Sequence, residues 1–231
     1  MDENNDIYGF ETKGQLFLQS VYPEDNINSF NKELKDFFVK NSIYVHLQKN
    51  YDINEDKFYI NNTYTLLTNN HKIQYYYSPV INNRGSINRI NDLGFIEIVN
   101  ADKLFRNLSL YFDIDLISKL VHKISSQSWK LESINIEIYN NVTNPNSFKY
   151  EEKRLKAIVF LSTIQTDDAG TYTYIDKTNN NKMEMKNENV NKFYGKGGDL
   201  LLMDTSGYHK IIPQTNCTSV YLVFYYSRRE T

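Results

Sequence analysis

The stretch Tyr194–Ser227, YGKGGDLLLMDTSGYHKIIPQTNCTSVYLVFYYS, decides the fold that we predict for this chain. Its two ends are rich in leucine, β-branched and aromatic residues, which favours buried strands over Asp199–Met203 and Ser219–Tyr226. Between them, Asp204–Gly207 has the composition of a turn and presents His209 at the edge of a strand. Such a histidine is a metal ligand, a catalytic acid or base, or a buried structural residue, so its role depends on partners elsewhere in the chain.

Length and charge indicate one globular domain with no affinity for nucleic acid. The chain has 231 residues, of which 40% are hydrophobic, and this suits a single β-rich domain over residues 1–231. We expect strands and supporting helices in residues 1–130 and the C-terminal part of a barrel core in residues 131–231. The net charge is −2, with basic residues scattered among acidic ones, which excludes a phosphate-tracking surface.

Cysteine content and the N-terminal sequence predict a cytoplasmic protein. Cys217 is the single cysteine of the sequence, so an internal disulfide and a cysteine-built zinc site are excluded. The first residues, MDENNDIYGFETKGQ, are acidic and polar, unlike a signal or transit peptide. Apolar runs are too short to cross a bilayer, and we therefore expect no membrane partner.

Two amphipathic helices are predicted before the strand-rich part begins. One opens at Ser29 and carries Phe30 and Leu34 on one face, and the other covers Asp113–Ser125. From residue 131 the pattern changes to short strands separated by turns, as in an antiparallel sandwich or barrel. In the first of these strands, three isoleucines alternate with Asn135, Glu137 and Tyr139.

Three segments in order carry a resemblance to a known family: YNNVTNPNSF, LKAIVFLSTIQTDDAGTYTYI and GKGGDLLLMDTSGYHKIIPQ. They resemble the phytanoyl-CoA dioxygenase-like branch of the Fe(II)/2-oxoglutarate oxygenases, mainly in the C-terminal part of the chain. The resemblance implies a mainly β (α+β) fold: a double-stranded β-helix, or cupin-like jelly-roll barrel, with flanking N-terminal helices. Members bind iron through an HxD pair and a later histidine, because such a triad leaves three positions open on the metal for co-substrate and oxygen.

The resemblance places His209 on the later histidine but finds no HxD pair. Counting back from Lys156 without a gap puts the pair on Asn146 and Phe148, whereas anchoring on TNPNSF puts it on Lys149 and Glu151. The second alignment supplies a carboxylate, so His209 and Glu151 become the candidate metal ligands. Lys149 would have to lose its proton to bind metal, which costs about 4–5 kcal/mol at pH 7 for an ordinary lysine.

The co-substrate position also departs from the family pattern. The arginine that binds the 2-oxoglutarate carboxylate falls near Thr218 or Ser219, and neither side chain can form a bidentate carboxylate clamp. Lys156 and Ser219 are therefore the candidate cofactor-binding residues. The glycine-serine-histidine segment of the family reads Asp176–Asn179 here.

These departures favour a degenerate oxygenase that binds a small molecule or a protein partner, and we expect no cofactor. Two alternatives stay open. The first is an active Fe(II)/2-oxoglutarate oxygenase with a non-standard site, in which His209 and Glu151 share the metal with His46, His71 or a water molecule.

The second alternative is a metal-free enzyme on the same barrel. His209 would act as acid or base, with Tyr208, Lys149 or Glu151 beside it, because a histidine pKa near neutrality suits proton transfer. His209, Lys149 and Glu151 are thus the candidate catalytic residues, and whether the chain is an enzyme is left open.

Overall fold

The computed structural model describes residues 9–40, 62–68, 71–79, 93–125, 127–140, 148, 150–151, 154–166, 171–176, 190–211 and 218–228. For residues 62–68, 71–79, 93–96 and 140 it describes the backbone alone. Strands in these ranges are β1 Gln15–Leu18, β2 Asn62–Thr68, β3 His71–Pro79, β4 Leu93–Ile98, β5 Trp129–Asn140, β6 Arg154–Phe160, β7 Tyr172–Ile175, β8 Val190–Phe193, β9 Leu200–Asp204, β10 His209–Ile211 and β11 Thr218–Arg228.

The strands form two antiparallel sheets. The large sheet has the order β1-β9-β6-β11-β5-β4-β3-β2, and the small sheet has the order β10-β7-β8. Strands distant in sequence become neighbours, as where β1 pairs with β9 and aligns Leu18 with Leu200. The phenol of Tyr172 on the small sheet reaches Glu137 on the large sheet, so the two sheets face each other. This two-sheet arrangement agrees with the predicted jelly-roll barrel.

The opening stretch folds as predicted. Its two strand predictions correspond to β9 and β11, each displaced or extended by a few residues. Asp204–Gly207 forms the turn between them, in which the Gly207 N–H donates to the Asp204 carbonyl at 3.1 Å. The Asp204 carboxylate also accepts from the Ser206 N–H at 3.0 Å, a side-chain contact that is common in turns. His209 follows the turn as the first residue of β10.

Alternation along the central strands sorts side chains into two layers, since neighbouring residues of a strand point to opposite faces. One cluster lies between the large sheet and the helices, and the other lies between the two sheets. The first includes Ile134, Ile136, Ile138, Leu155, Ala157, Val159, Leu200, Leu202, Leu222 and Phe224. The second includes Ile158, Phe160, Tyr172, Tyr174, Leu201, Met203, Tyr221 and Val223.

Helices cover the outer face of the large sheet. They are α1 Glu24–Lys40, α2 Ala101–Leu104, α3 Leu108–Tyr111 and α4 Ile114–Ile124. Phe30 of α1 is fully buried and packs edge-on against Phe105 at 5.3 Å and Phe112 at 5.2 Å between ring centroids. Among the described residues, no helix is long and apolar enough to cross a membrane.

The two predicted helices are present, with one boundary corrected. Helix α4 begins after Asp113, whose carboxylate caps it by accepting from the Leu116 N–H at 2.9 Å. Helix α1 begins at Glu24, five residues before Ser29. It starts there because the Pro23 carbonyl accepts from the Asn26 and Ile27 N–H groups, and two acidic residues follow at the positive end of the helix.

Candidate functional site

His209 lies at the start of β10 with its ring buried and only 1% exposed. It stands opposite Tyr174 of β7, and Ile211 stands opposite Tyr172. Directly opposed residues of antiparallel strands share a face, so His209 projects to the barrel side with both tyrosines. Its Nδ1 lies 2.9 Å from the Gly207 carbonyl oxygen. A carbonyl can only accept, so Nδ1 carries the proton in this contact, which leaves the lone pair of a neutral ring on Nε2.

The segment that the resemblance aligned with the HxD pair runs beside the His209 turn. The Glu151 N–H donates to the Thr205 carbonyl at 2.6 Å, and the Thr205 hydroxyl donates back to the Glu151 carbonyl at 3.3 Å. The rings of Tyr150 and Tyr208 meet edge-on at 5.6 Å. Glu151 is therefore held against the turn that delivers His209, although 58 positions separate the two residues in the sequence.

This placement distinguishes the two sequence alignments. Phe148 lies under the Lys210 ammonium at 4.4 Å, and Lys210 is on the opposite face of β10 from His209. Phe148 therefore faces away from the barrel interior, and Asn146 lies outside the described residues. Glu151, by contrast, directs its carboxylate toward Lys156 at 3.7 Å. In the alignment on Lys149 and Glu151, the partly exposed Glu151 carboxylate lies beside the buried Lys156, while Lys149 lies outside the described residues.

Lys156 is a buried lysine on the barrel face of β6. It alternates with Leu155 and Ala157, which face the helices, and only 5% of it is exposed. Its Nζ lies 4.8 Å from the centroid of the Tyr225 ring, on the neighbouring strand β11. Lys156 thus places an ammonium inside the barrel between Glu151 and an aromatic ring.

Ser219 occupies the barrel face of β11, opposite Tyr139 of β5. It is fully buried, whereas Thr218 is exposed. Ser219, which the sequence aligned with the co-substrate position, therefore faces the barrel interior. A serine hydroxyl offers one donor there and no charge.

Sequence reasoning missed a buried carboxylate, Glu137, which is only 2% exposed. Its Oε2 accepts from the Tyr139 and Tyr172 hydroxyls, each at 2.7 Å, and its Oε1 accepts from the Tyr225 hydroxyl. Burial raises the pKa of Glu137, but Lys156 and the three phenols outweigh it and leave the pKa below its ordinary value. The alternation around residue 137 was visible in the sequence, but nothing local indicated that the polar face would be covered.

Glu97 of β4 stands directly opposite Glu137. Burial and the Glu137 charge raise the pKa of Glu97, and they outweigh the bond from Asn135 and the influence of Lys156. The Asn135 amide donates to Glu97 at 2.7 Å and accepts from the Asn100 N–H at 3.2 Å. The two carboxylates therefore differ: the pKa of Glu137 lies below its ordinary value, and the pKa of Glu97 lies above it.

Aromatic rings fill much of the space beside these groups. The Tyr221 ring meets Phe160 at 5.1 Å, Tyr172 at 5.0 Å and Tyr139 at 6.1 Å between centroids. Tyr208, a predicted acid or base partner of His209, precedes β10 and packs edge-on against the exposed Tyr150. It therefore does not share the barrel interior with the histidine.

Metal donors in the described ranges are few. No group of three or more histidine, cysteine, aspartate or glutamate side chains is close enough there to hold a metal. His209 and Glu151 supply an imidazole nitrogen and a carboxylate, the two donor types of a His/carboxylate iron site. Of the further ligands considered, His46 lies outside the described residues, and His71 begins β3 with its backbone alone described.

Comparison with solved structures identifies the fold. HygX from Streptomyces hygroscopicus, solved with nickel and 2-oxoglutarate bound, is similar over 96% of this chain and 86% of its own, with TM-score 0.58 and 16% identity. SnoK, a non-heme alpha-ketoglutarate-dependent carbocyclase from nogalamycin biosynthesis, matches over 96% and 83%, with TM-score 0.58 and 10% identity. AviO1 from Streptomyces viridochromogenes Tue57 matches over 98% and 95%, with TM-score 0.60 and 9% identity.

These likenesses confirm the predicted cupin-like jelly roll. No family model and no curated protein sequence matches the chain, so the phytanoyl-CoA branch is not supported by a family match. The expectation of no cofactor is contradicted, because HygX was solved with iron and with nickel and 2-oxoglutarate. That expectation counted lost motif positions, whereas the fold still brings the segments of His209 and Glu151 together.

Proposed function

We propose that this protein is a 2-oxoglutarate-dependent iron oxygenase of the jelly-roll type that acts on a small organic molecule. One observation carries the proposal: the Glu151 backbone is hydrogen-bonded to Thr205, in the turn that leads to the buried His209. An imidazole and a carboxylate thereby enter the same end of the barrel. Within these oxygenases, the order of the sequence motifs points to the phytanoyl-CoA dioxygenase-like branch.

His209 and Glu151 would hold the metal. The Nδ1–H of His209 is fixed by the Gly207 carbonyl, which leaves Nε2 as the donor atom in the tautomer that metals require. The Glu151 carboxylate supplies the hard oxygen donor that iron(II) accepts. A water molecule, His46 or His71 would complete the set. When bound, iron(II) and 2-oxoglutarate supply the oxygen-activating chemistry.

Lys156 and Ser219 would bind the co-substrate in place of an arginine. Lys156 contributes a buried positive charge, and Ser219 contributes a hydroxyl on the same face of the large sheet. An ammonium attracts a carboxylate as a point charge and lacks the planar fork of arginine. We therefore expect weaker and less directional binding of 2-oxoglutarate than an arginine would give.

A barrel that binds a ligand without turning it over is the second candidate. It is favoured by the packing of Tyr221 against Phe160 and Tyr172 inside the barrel, and by the neutral Ser219 at the co-substrate position. Both features reduce the space and the charge that the interior offers to 2-oxoglutarate. Turnover distinguishes this candidate from the first.

Succinate formation from 2-oxoglutarate, in the presence of iron(II), ascorbate and oxygen, tests the proposal. We expect turnover by the wild-type protein that disappears in His209→Ala and in Glu151→Gln. His122→Ala is the matched control, because His122 is exposed on α4 and bonded to its own helix, so turnover should be unchanged. Unchanged turnover in His209→Ala rejects the proposal. Folded wild-type protein that makes no succinate supports the second candidate instead.

A further inference from the structure

Lys156 joins the candidate metal site to a buried group of carboxylates. Its Nζ lies 3.7 Å from the Glu151 carboxylate, and the same ammonium lies over the Tyr225 ring at 4.8 Å. The Tyr225 hydroxyl donates to Glu137, which faces Glu97 across two strands. Lys156 thus forms an ion pair with Glu151, and its charge also acts to lower the pKa of Glu137 and of Glu97.

The pairing with Glu151 matters because a carboxylate that neutralises an ammonium is a weaker donor to a metal ion. The metal ion and the Lys156 ammonium compete for the same carboxylate oxygens, and the two cations repel each other at short range. The pair is well shielded from water, with the Lys156 and Glu151 side chains only 7% and 27% exposed. Solvent therefore screens this competition less than it screens an ion pair on the surface.

We propose that Lys156 is a built-in competitor for the candidate metal site, holding Glu151 in an ion pair that a metal ion must displace. This inference rests on the proposed function, since it takes His209 and Glu151 as the metal ligands. Toward the metal, Lys156 acts through Glu151 and is a positioning residue. This effect on metal affinity is separate from the contact with the co-substrate that we propose for the same ammonium.

The structure also supplies a second position for the displaced ammonium. The Tyr225 ring already lies beneath it, and an aromatic face attracts a cation. Glu137 lies beyond the Tyr225 hydroxyl and is stabilised in its charged form by Lys156. The ammonium can therefore leave Glu151 and keep a negative partner inside the barrel. This lowers the cost of the exchange relative to leaving a buried charge unpaired.

Titration of the full chain with nickel(II) chloride, followed by calorimetry, tests the inference. Lys156→Gln removes the competing charge, and we expect it to bind nickel about tenfold more tightly than wild type. Lys156→Arg keeps the charge and pairs with a carboxylate through two parallel bonds, so we expect it to bind nickel more weakly than wild type. Lys210→Gln is the control, because Lys210 adjoins His209 in sequence but lies on the outer face over Phe148. Its nickel affinity should match that of wild type.

The outcomes separate this inference from the proposed function. Tighter binding by Lys156→Gln than by wild type supports the inference, with wild type itself binding nickel measurably. Equal or weaker binding by Lys156→Gln, with wild type binding normally, overturns the inference and leaves the proposed function standing. Absence of binding in all variants overturns both. If Lys156→Gln does not fold, Lys156→Arg decides, and an affinity equal to or above that of wild type contradicts the inference.

Discussion

Glu137 is the residue on which the interior of the barrel depends, because its buried carboxylate accepts from three tyrosine hydroxyls. A hydrogen bond to a charged group stabilises a fold more than a bond between neutral groups does. The pKa of Glu137 lies below its ordinary value, so the site favours the charged carboxylate. Its contribution to stability is present above the ordinary carboxyl pKa of 4.5 and is lost as the pH falls through the lower folded value.

Tyr172→Phe tests this charge-assisted bond. Loss of one donor to Glu137 should lower the free energy of unfolding by about 1.5–3 kcal/mol at pH 7, and by less at a pH where Glu137 is protonated. Tyr174→Phe is the matched control on the same strand, since its hydroxyl donates to the neutral Asp204 carbonyl at 2.9 Å. Its cost should be about 1 kcal/mol with no comparable pH dependence. Urea unfolding at several pH values measures both, and equal pH profiles would show that Glu137 is not charged.

For Glu97 we expect the opposite dependence of folding stability on pH. Its pKa is raised by burial and by Glu137, so folding becomes less favourable as the pH rises above the ordinary carboxyl value of 4.5. Glu97→Gln keeps an oxygen acceptor for Asn135 and removes the like charge opposite Glu137. The variant should therefore be more stable than wild type at pH 7, by up to about 1 kcal/mol, with no gain in acid.

Thermal unfolding of Glu97→Gln beside Glu132→Gln measures this difference. Glu132 is an exposed residue of the neighbouring strand β5, so its substitution should change little. A Glu97→Gln variant less stable than wild type at neutral pH contradicts the like-charge interpretation.

At the scale of the element, the turn before β9 depends on a backbone conformation that glycine provides. Gly198 has φ of 95°, and a Cβ built there would lie 2.2 Å from the Tyr22 carbonyl oxygen. The Tyr22 N–H donates to the Gly198 carbonyl at 3.0 Å, which ties the start of α1 to the sheet. Gly198→Ala should cost on the order of 3 kcal/mol of stability.

Gly9→Ala is the control for this substitution. Gly9 lies in the helical residues 9–13, and an added Cβ there meets nothing within 4 Å. Because alanine is a better helix former, that variant should not be destabilised. A melting temperature of Gly198→Ala equal to that of Gly9→Ala would show that the turn adapts to a side chain.

Strand β5 shows how far an element can be predicted from its sequence. The alternation of Ile134, Ile136 and Ile138 with polar neighbours predicted the strand, and the isoleucines do face the core beneath the helices. The alternation does not indicate what covers the other face. Glu137 is buried beneath Tyr172 of the small sheet and beside Tyr221 of β11, whereas Asn135 is bonded to Glu97 and Asn100. All these contacts come from residues more than 30 positions away.

At the scale of the whole molecule, the sequence predicted the features that have local signals, such as turns and strands. It did not predict the contacts between distant parts of the chain. The turn at Asp204–Gly207 and the strands around it follow from composition, and the resemblance of three ordered segments predicted the jelly roll. Pairing of β1 with β9 joins parts of the chain more than 180 positions apart and has no local signature. The contacts of Lys156 could not be predicted from the sequence either, because only the paired strands bring its ammonium beside Glu151 and Tyr225.

The candidate site likewise combines residues that have local signals with contacts that depend on the fold. His209 could be found from its turn, and Glu151 from an ordered motif, but their proximity depends on hydrogen bonds between Glu151 and Thr205. The expectation of no cofactor was wrong because it judged the site by matching positions one at a time. The barrel instead gathers a histidine, a carboxylate and a buried lysine from three separate strands or loops.

Metal content is the measurement that tests the central claim most directly. Purified wild-type protein, His209→Ala and the control His122→Ala are incubated with nickel(II), freed of excess metal by gel filtration, and analysed by elemental mass spectrometry. The account predicts one nickel ion per chain in wild type and in His122→Ala, and loss of that ion in His209→Ala. Equal nickel content in His209→Ala and wild type, or none in any of the three, would contradict it.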